Sequence, residues 1–226
     1  RGLLGVAVDA GGRTFAAWTR PDGRLVVGQV APAPERLAWL GPPSTDLANG
    51  GHLVVAPDGR LVIGIGDLRA PPLVDDPGAP NGKLLSLDPD GPPDQSPRVL
   101  SRGWNNPFAF TYTPGGQLWV ADNAPGRRPE RLARGDGGGP PTAVTELAGK
   151  SAPSGLAALA DGRLALCGFV SRRLDVYRVG GETARRGRRP LAEDCATGAV
   201  RLADGRLAYA DESSIRVLVA TAVAGA

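Results

Sequence analysis

An all-β fold is predicted by three observations. Glycine and proline are abundant, 33 and 22 in a chain of 226 residues, which favours turns over helices. The apolar residues fall in many short, Val- and Leu-rich runs of the kind that fits a pleated, buried surface. A glycine-centred turn recurs at Gly11-Gly12-Arg13, Asp58-Gly59-Arg60, Gly115-Gly116-Gln117, Asp161-Gly162-Arg163 and Asp204-Gly205-Arg206. Each copy lies between two apolar runs and therefore reads as a β-hairpin.

Taken in order, the first strand of each hairpin is GVAVD, HLVVAP, FAFTYT, GLAALA and GAVRLA, and the second is TFAAWT, LVIGIG, LWVADN, LALCGF and LAYADE. A third strand follows in four units, as RLVVGQV, KLLSLDP, RRLDVYRV and SIRVLVATA. The turn glycines Gly12, Gly59, Gly116, Gly162 and Gly205 are 47, 57, 46 and 43 residues apart, near the roughly 40 to 50 residues of a propeller blade. Sheets of three or four strands set around an axis leave only short, protected edges. The architecture expected is a β-propeller, a single domain over residues 1–226, with five blade units visible. Residues 66–81 and 121–141 are too long for hairpin turns and too rich in glycine and proline for helices, so they are expected as loops. The tract TARRGRRP, 183–190, is expected as a basic, solvated surface loop. The chain contains no methionine and opens on an apolar strand, so a leader or a longer segment is expected ahead of Arg1, supplying a sixth blade and leaving the first unit truncated here.

Several function classes are disfavoured by composition. A net charge of +3, with arginines scattered at turns opposite a comparable number of acids, lacks the clustered basic face of a nucleic-acid binder. No run approaches the ~20 apolar residues of a transmembrane helix. Ser151, Ser154 and Ser171 have only one histidine in the chain to share, so a Ser/His/Asp triad is not expected. Asp75, Asp76 and Asp136 lie in loops as a weak calcium site at most. Trp18, Trp39, Trp104 and Trp119 are expected as blade packing. Cys167 and Cys195 are compatible with one disulfide in an exported chain or with two buried thiols.

Four ordered segments resemble the soluble glucose/sorbosone dehydrogenase family, six-bladed propellers that bind pyrroloquinoline quinone and calcium and oxidise sugars. They are RGLLGVAVD, ANGGHLVVAPDGRLVIGIGD (48–67), NGKLLSLDPDG (81–91) and SRGWNNPFAFTYTPGGQLWVADNAPG (101–126), with a weaker fifth at APSGLAALADGRLAL (152–166). The resemblance implies where the chemistry lies, and this chain departs from the family there. The family's general base, a histidine, falls on Ala48, whose methyl group accepts no proton. Asp67 matches the aspartate that orients this base. His52, four residues further on, is a weak candidate to replace the base if strand alternation aims it inward. The family's quinone-binding arginine falls on Asn105, followed by the retained Asn106, and Trp104 lies in the loop that faces the ligand. The paired arginines of the last blade fall near Ala196 and Gly198, which carry no charge for a cofactor with three carboxylates. The turn Asn123 to Pro125 corresponds to the calcium position, with the backbones of Ala124 and Pro125 as ligands.

These departures lead to the expectation of a catalytically degenerate member, a binding or scaffold module of the cell envelope or the extracellular space, with no bound cofactor. Its partner would be a small molecule or a protein at the central funnel. The alternative is a pyrroloquinoline quinone- and calcium-dependent aldose dehydrogenase with a rearranged site. A lactonase-type hydrolase would need an axial cluster of Glu, Asn and Asp ligands that these strand ends do not supply.

Overall fold

The computed structural model describes residues 2–126 and 128–218. They form antiparallel sheets joined by turns, in two compact units: Arg1–Pro107 with Gly137–Pro140, and Phe108–Asp136 with Pro141–Ala226. The first unit holds two four-stranded meanders, β1 (Leu3–Val8), β2 (Thr14–Thr19), β3 (Arg24–Ala31) and β4 (Arg36–Pro43), then β5 (Gly50–Val55), β6 (Leu61–Ile65), β7 (Lys83–Leu87) and β8 (Arg98–Arg102). The second unit holds β9 (Ala109–Tyr112), β10 (Leu118–Asp122), β11 (Arg131–Arg134) and β12 (Thr142–Glu146), then β13 (Pro153–Ala158), β14 (Leu164–Gly168), β15 (Leu174–Gly180) and β16 (Thr183–Arg186). It ends with a three-stranded sheet of β17 (Gly198–Arg201), β18 (Leu207–Ala210) and β19 (Ile215–Leu218). These are five blades in sequence order, and the fold class is all-β, of propeller type.

The recurring turn has one physical design. At Ala56 to Arg60 the Gly59 amide donates to the Ala56 carbonyl (2.9 Å) and the Ala56 amide to the Arg60 carbonyl (2.8 Å), while the Arg60 amide is capped by Asp58 Oδ1 (3.1 Å). Gly59 sits at φ +82°, a conformation that costs glycine nothing and an L side chain about 1–2 kcal/mol. The same aspartate cap recurs at Asp22, Asp161 and Asp204. Asp22 belongs to a further copy of the turn, between β2 and β3.

Each four-stranded blade has a fourth, edge strand that the apolar pattern did not reveal: β4, β8, β12 and β16. Residues 131–134, expected inside a loop, are β11, and the first half of TARRGRRP is β16. These strands are short and rich in polar residues, or end on proline, as in RLAWLGPP; this is how a sheet edge is protected and why it lacks the apolar signature of an inner strand. The 66–81 segment remains a loop apart from a 3₁₀ turn at Pro71–Leu73. The tail of SIRVLVATA beyond Leu218 lies outside the described residues.

Each unit has its own core. In the first, Phe15, Leu25, Trp39, Leu61, Ile63 and Leu87 pack between the two sheets. In the second, one cluster gathers around Trp119, Leu132, Leu164 and Tyr177, and another around Leu174, Leu207 and Tyr209. A disulfide joins Cys167 of β14 to Cys195, 28 residues on, with Cα atoms 5.5 Å apart, so the disulfide is the alternative realised. Among the described residues no helix is long and apolar enough to cross a membrane.

Candidate functional site

Four segments of the first unit meet at the end of the β5–β6 hairpin: residues 48–50, 66–69, 81–83 and 103–106. Backbone bonds lace them together. Leu68 N donates to Ala48 O (3.2 Å), Gly66 N to Asn49 O (3.2 Å), Gly82 N to Gly66 O (2.8 Å), Trp104 N to Gly82 O (3.2 Å) and Asp67 N to Asn105 O (2.7 Å). The approach is so close that a Cβ at Gly66 would overlap the Ala48 carbonyl, and one at Gly82 would overlap the Trp104 carbonyl. Three non-glycine residues here take left-handed backbone, Ala48 (φ +54°), Leu68 (+51°) and Arg69 (+59°). Such conformations cost of order 1 kcal/mol or more each and persist where surrounding bonds over-determine them.

The side chains close the node further. The Asp67 carboxylate, only 5% exposed, accepts Asn105 Nδ2 at Oδ2 (2.6 Å) and the Arg69 amide at Oδ1 (2.9 Å). Asn81 Nδ2 donates to Asp67 O (2.9 Å). Asn106 Oδ1 accepts the Gly50 amide (2.9 Å). The structure thus brings Ala48, Asp67, Asn105 and Asn106 together. Trp104 is fully buried, and its Nε1 donates to Ser101 Oγ (2.9 Å), so the indole has no face open to a ligand. His52 stands half-buried in β5 at a bulge, where the Gly5 backbone of β1 packs against it.

Lys83 belongs to the same node, although its place in the sequence suggested no role. It is fully buried at the start of β7, and its Nζ donates to the carbonyls of Val74 (2.7 Å), Asn81 (2.7 Å) and Leu73 (3.4 Å), which pins the 66–81 loop to the sheet. Burial pulls its ammonium below the ordinary lysine range, with Asp75 and Asp76 opposing. The available signal was a lysine opening an otherwise apolar run, KLLSL, every residue of which is buried.

Ala124 and Pro125 lie in the second unit, in the turn after β10. Asp122, at the base of this turn, pairs with Arg131 (2.9 Å). The Ala124 carbonyl accepts Lys150 Nζ (2.8 Å), and the Pro125 carbonyl accepts the Arg128 amide (3.2 Å). Ala196 is fully buried and Gly198 opens β17. Ser151 Oγ faces Ser171 Oγ at 3.3 Å, and Ser154 Oγ donates to Cys167 O. Asp136 pairs with Arg134, and Asp76 caps the Gly78 amide. Among the described residues no three His, Cys, Asp or Glu side chains gather as metal ligands.

The groups that a quinone with three carboxylates and a calcium ion would need do not fit these residues. Asn105 is uncharged, and its amide donates to Asp67. Lys83 is enclosed by carbonyls, and Arg69 pairs with Asp46 (2.5 Å). Ala196 is fully buried and carries no charge. In the turn where the resemblance would put calcium, the Ala124 and Pro125 carbonyls each accept one donor from the chain itself. What the arrangement does well is hold four chain segments rigidly in place.

Residues 38–131 match the family model Glucose / Sorbosone dehydrogenase, a span that includes Ala48, Asp67, Asn105, Asn106, Ala124 and Pro125. No curated protein sequence matches the chain. Among solved structures, a putative oxidoreductase (glucose dehydrogenase) from Thermus thermophilus superposes with a TM-score of 0.77 at 21% identity, covering 96% of this chain and 83% of that one. The soluble aldose sugar dehydrogenase of Escherichia coli in its apo form gives 0.77 at 20% identity, covering 96% and 81%. The PQQ-bound form of the aldose sugar dehydrogenase from Streptomyces coelicolor gives 0.76 at 19%, covering 96% and 78%. Residues 38–131 therefore carry the sequence signature of the glucose/sorbosone dehydrogenases, in a chain whose fold is the β-propeller of those enzymes.

Proposed function

We propose that this protein is a glucose/sorbosone dehydrogenase-like propeller that has left catalysis and acts as a binding or scaffold module of the cell envelope or extracellular space. The observation that carries this reading is the state of Asp67. With a histidine at position 48, a carboxylate here would orient a base. With Ala48 it bonds instead to Asn105, at the position of a quinone-binding arginine, and to the Arg69 amide. Two positions where the resemblance puts reaction machinery thus satisfy one another, so position 48 offers no proton acceptor and position 105 no cation.

The Cys167–Cys195 disulfide supports a location outside the reducing cytosol, where such bonds persist. The partner is a small molecule or another protein, in keeping with the principle that a fold retains its architecture while its sites change. A dye-linked assay of the purified chain with pyrroloquinoline quinone, calcium and a panel of aldoses tests the reading. No quinone-dependent dye reduction is expected. Sustained turnover would establish the alternative, a quinoprotein aldose dehydrogenase with a rearranged site.

A further inference from the structure

The turn after β10 is organised around a cation that the chain itself supplies. Lys150 Nζ donates to Arg128 O (2.7 Å) and Ala124 O (2.8 Å) and lies 3.9 Å from Glu130 Oε1. Glu130 is 1% exposed, and its carboxylate is held by the amides of Ser151 (2.7 Å, to Oε2) and Ala152 (3.0 Å to Oε2 and 3.1 Å to Oε1). The bend that carries Lys150 is set by left-handed backbone on either side of it, at Gly149 (φ +72°) and Ala152 (φ +49°). Two carbonyl oxygens and a buried carboxylate form an oxygen-rich environment of the kind a hard cation takes. The donor distances of 2.7 and 2.8 Å are those of an ammonium hydrogen bond.

We infer that Lys150 is the resident cation of this site, its tethered ammonium taking Ala124 O, one of the two carbonyls at which the dehydrogenase resemblance places calcium, together with Arg128 O. A covalently attached cation is present in every folded molecule, so the carbonyls of Ala124 and Arg128 are held without dependence on free metal. The neighbouring cleft, about 360 Å³ and lined by Gly126, Arg128, Pro129, Leu147, Gly149 and Lys150, gives solvent ions a route to the oxygens once the ammonium is removed. The substitution of metal by lysine is therefore reversible: truncating Lys150 should convert the loop into a weak divalent-cation site. This goes beyond the proposed function and depends on the resemblance only for the position of the metal.

The test is thermal unfolding of the full chain in chelator and in millimolar calcium chloride, with sodium chloride matched for ionic strength and with quinone absent throughout, so that its outcome is separate from that of the dye-linked assay. The wild-type Tm should be the same in both. Lys150→Ala and Lys150→Met should each lower Tm in chelator by about 2–4 °C, the scale of one charge-assisted interaction in a chain of this size. Calcium should then restore most of that loss saturably, and Glu130→Gln in the Lys150→Ala background should remove the response. Saturable calcium stabilisation of the wild type would overturn the inference, because the site would then still accept metal. Lys150 variants that do not respond to calcium would overturn it equally, because the oxygens would then not be a cation site. The wild-type arm needs no variant to fold.

Discussion

The node around Asp67 and the loop around Lys150 solve opposite electrostatic problems. At the first, a buried carboxylate is satisfied by neutral donors, an asparagine amide and a backbone N–H. At the second, backbone carbonyls and a buried carboxylate are gathered by a cation. In both places the polar groups are satisfied from within the same unit, by an amide and a backbone N–H in one case and by a tethered ammonium in the other. The units also differ in how they are fastened. Among the described residues only the second unit carries a disulfide; the first relies on packing and on the carbonyl cage of Lys83.

That difference sets the order of expected effects. Breaking the disulfide, by Cys195→Ala paired with Cys167→Ala, should destabilise the second unit by about 3–4 kcal/mol, from the chain entropy of a 28-residue separation. Denaturant melts with and without reductant check this. Asp67→Ala leaves two partly buried donors, Asn105 Nδ2 and the Arg69 amide, without their acceptor and should cost about 1–2 kcal/mol. Asp67→Asn should recover part of that, because its Oδ1 still accepts the Arg69 amide.

The alkaline response should differ in sign between the units. Burial raises the Tyr177 phenol to about 12, so the unfolded chain ionises first. The stability this group provides is complete below pH ~10 and falls by about 2–3 kcal/mol as pH rises towards 12. Lys83 works the other way. Its pKa is lowered in the folded state, so the unfolded chain holds the proton longer, and stability rises with pH through the folded pKa up to the ordinary lysine value. Urea midpoints against pH should show a smaller alkaline fall in Tyr177→Phe, with buried Tyr209, also raised, keeping the remainder, and should lose the preceding rise in Lys83→Met. The smallest effect is at Ala48. Its φ of +54° suits glycine better than alanine, so Ala48→Gly should be stabilising by at most about 1 kcal/mol in a thermal melt.

The hairpins were legible because their signals are local. Asp58, Gly59 and Arg60 fix a turn within three residues, and the runs on either side carry their own apolar pattern. Edge strands such as TARR were not legible, since an edge is defined by a neighbour it lacks and by charges that resemble a loop. The disulfide was open in the sequence because pairing two cysteines 28 residues apart depends on where β14 and the segment before β17 run. The resemblance located Ala48, Asp67, Asn105 and Ala124 as positions but not their bonds. Asp67 reaches Asn105 across 38 residues, and Lys150 reaches Ala124 across 26. Such contacts are products of packing and have no periodic trace along the chain.

The most direct measurement of the central claim is a binding titration of the purified chain with pyrroloquinoline quinone in the presence of calcium, followed by calorimetry or quinone absorbance. No saturable one-to-one binding is expected under the proposed function, because Asn105 is uncharged and bonded to Asp67 and because Ala124 O is taken by Lys150. Stoichiometric, calcium-dependent binding would contradict it.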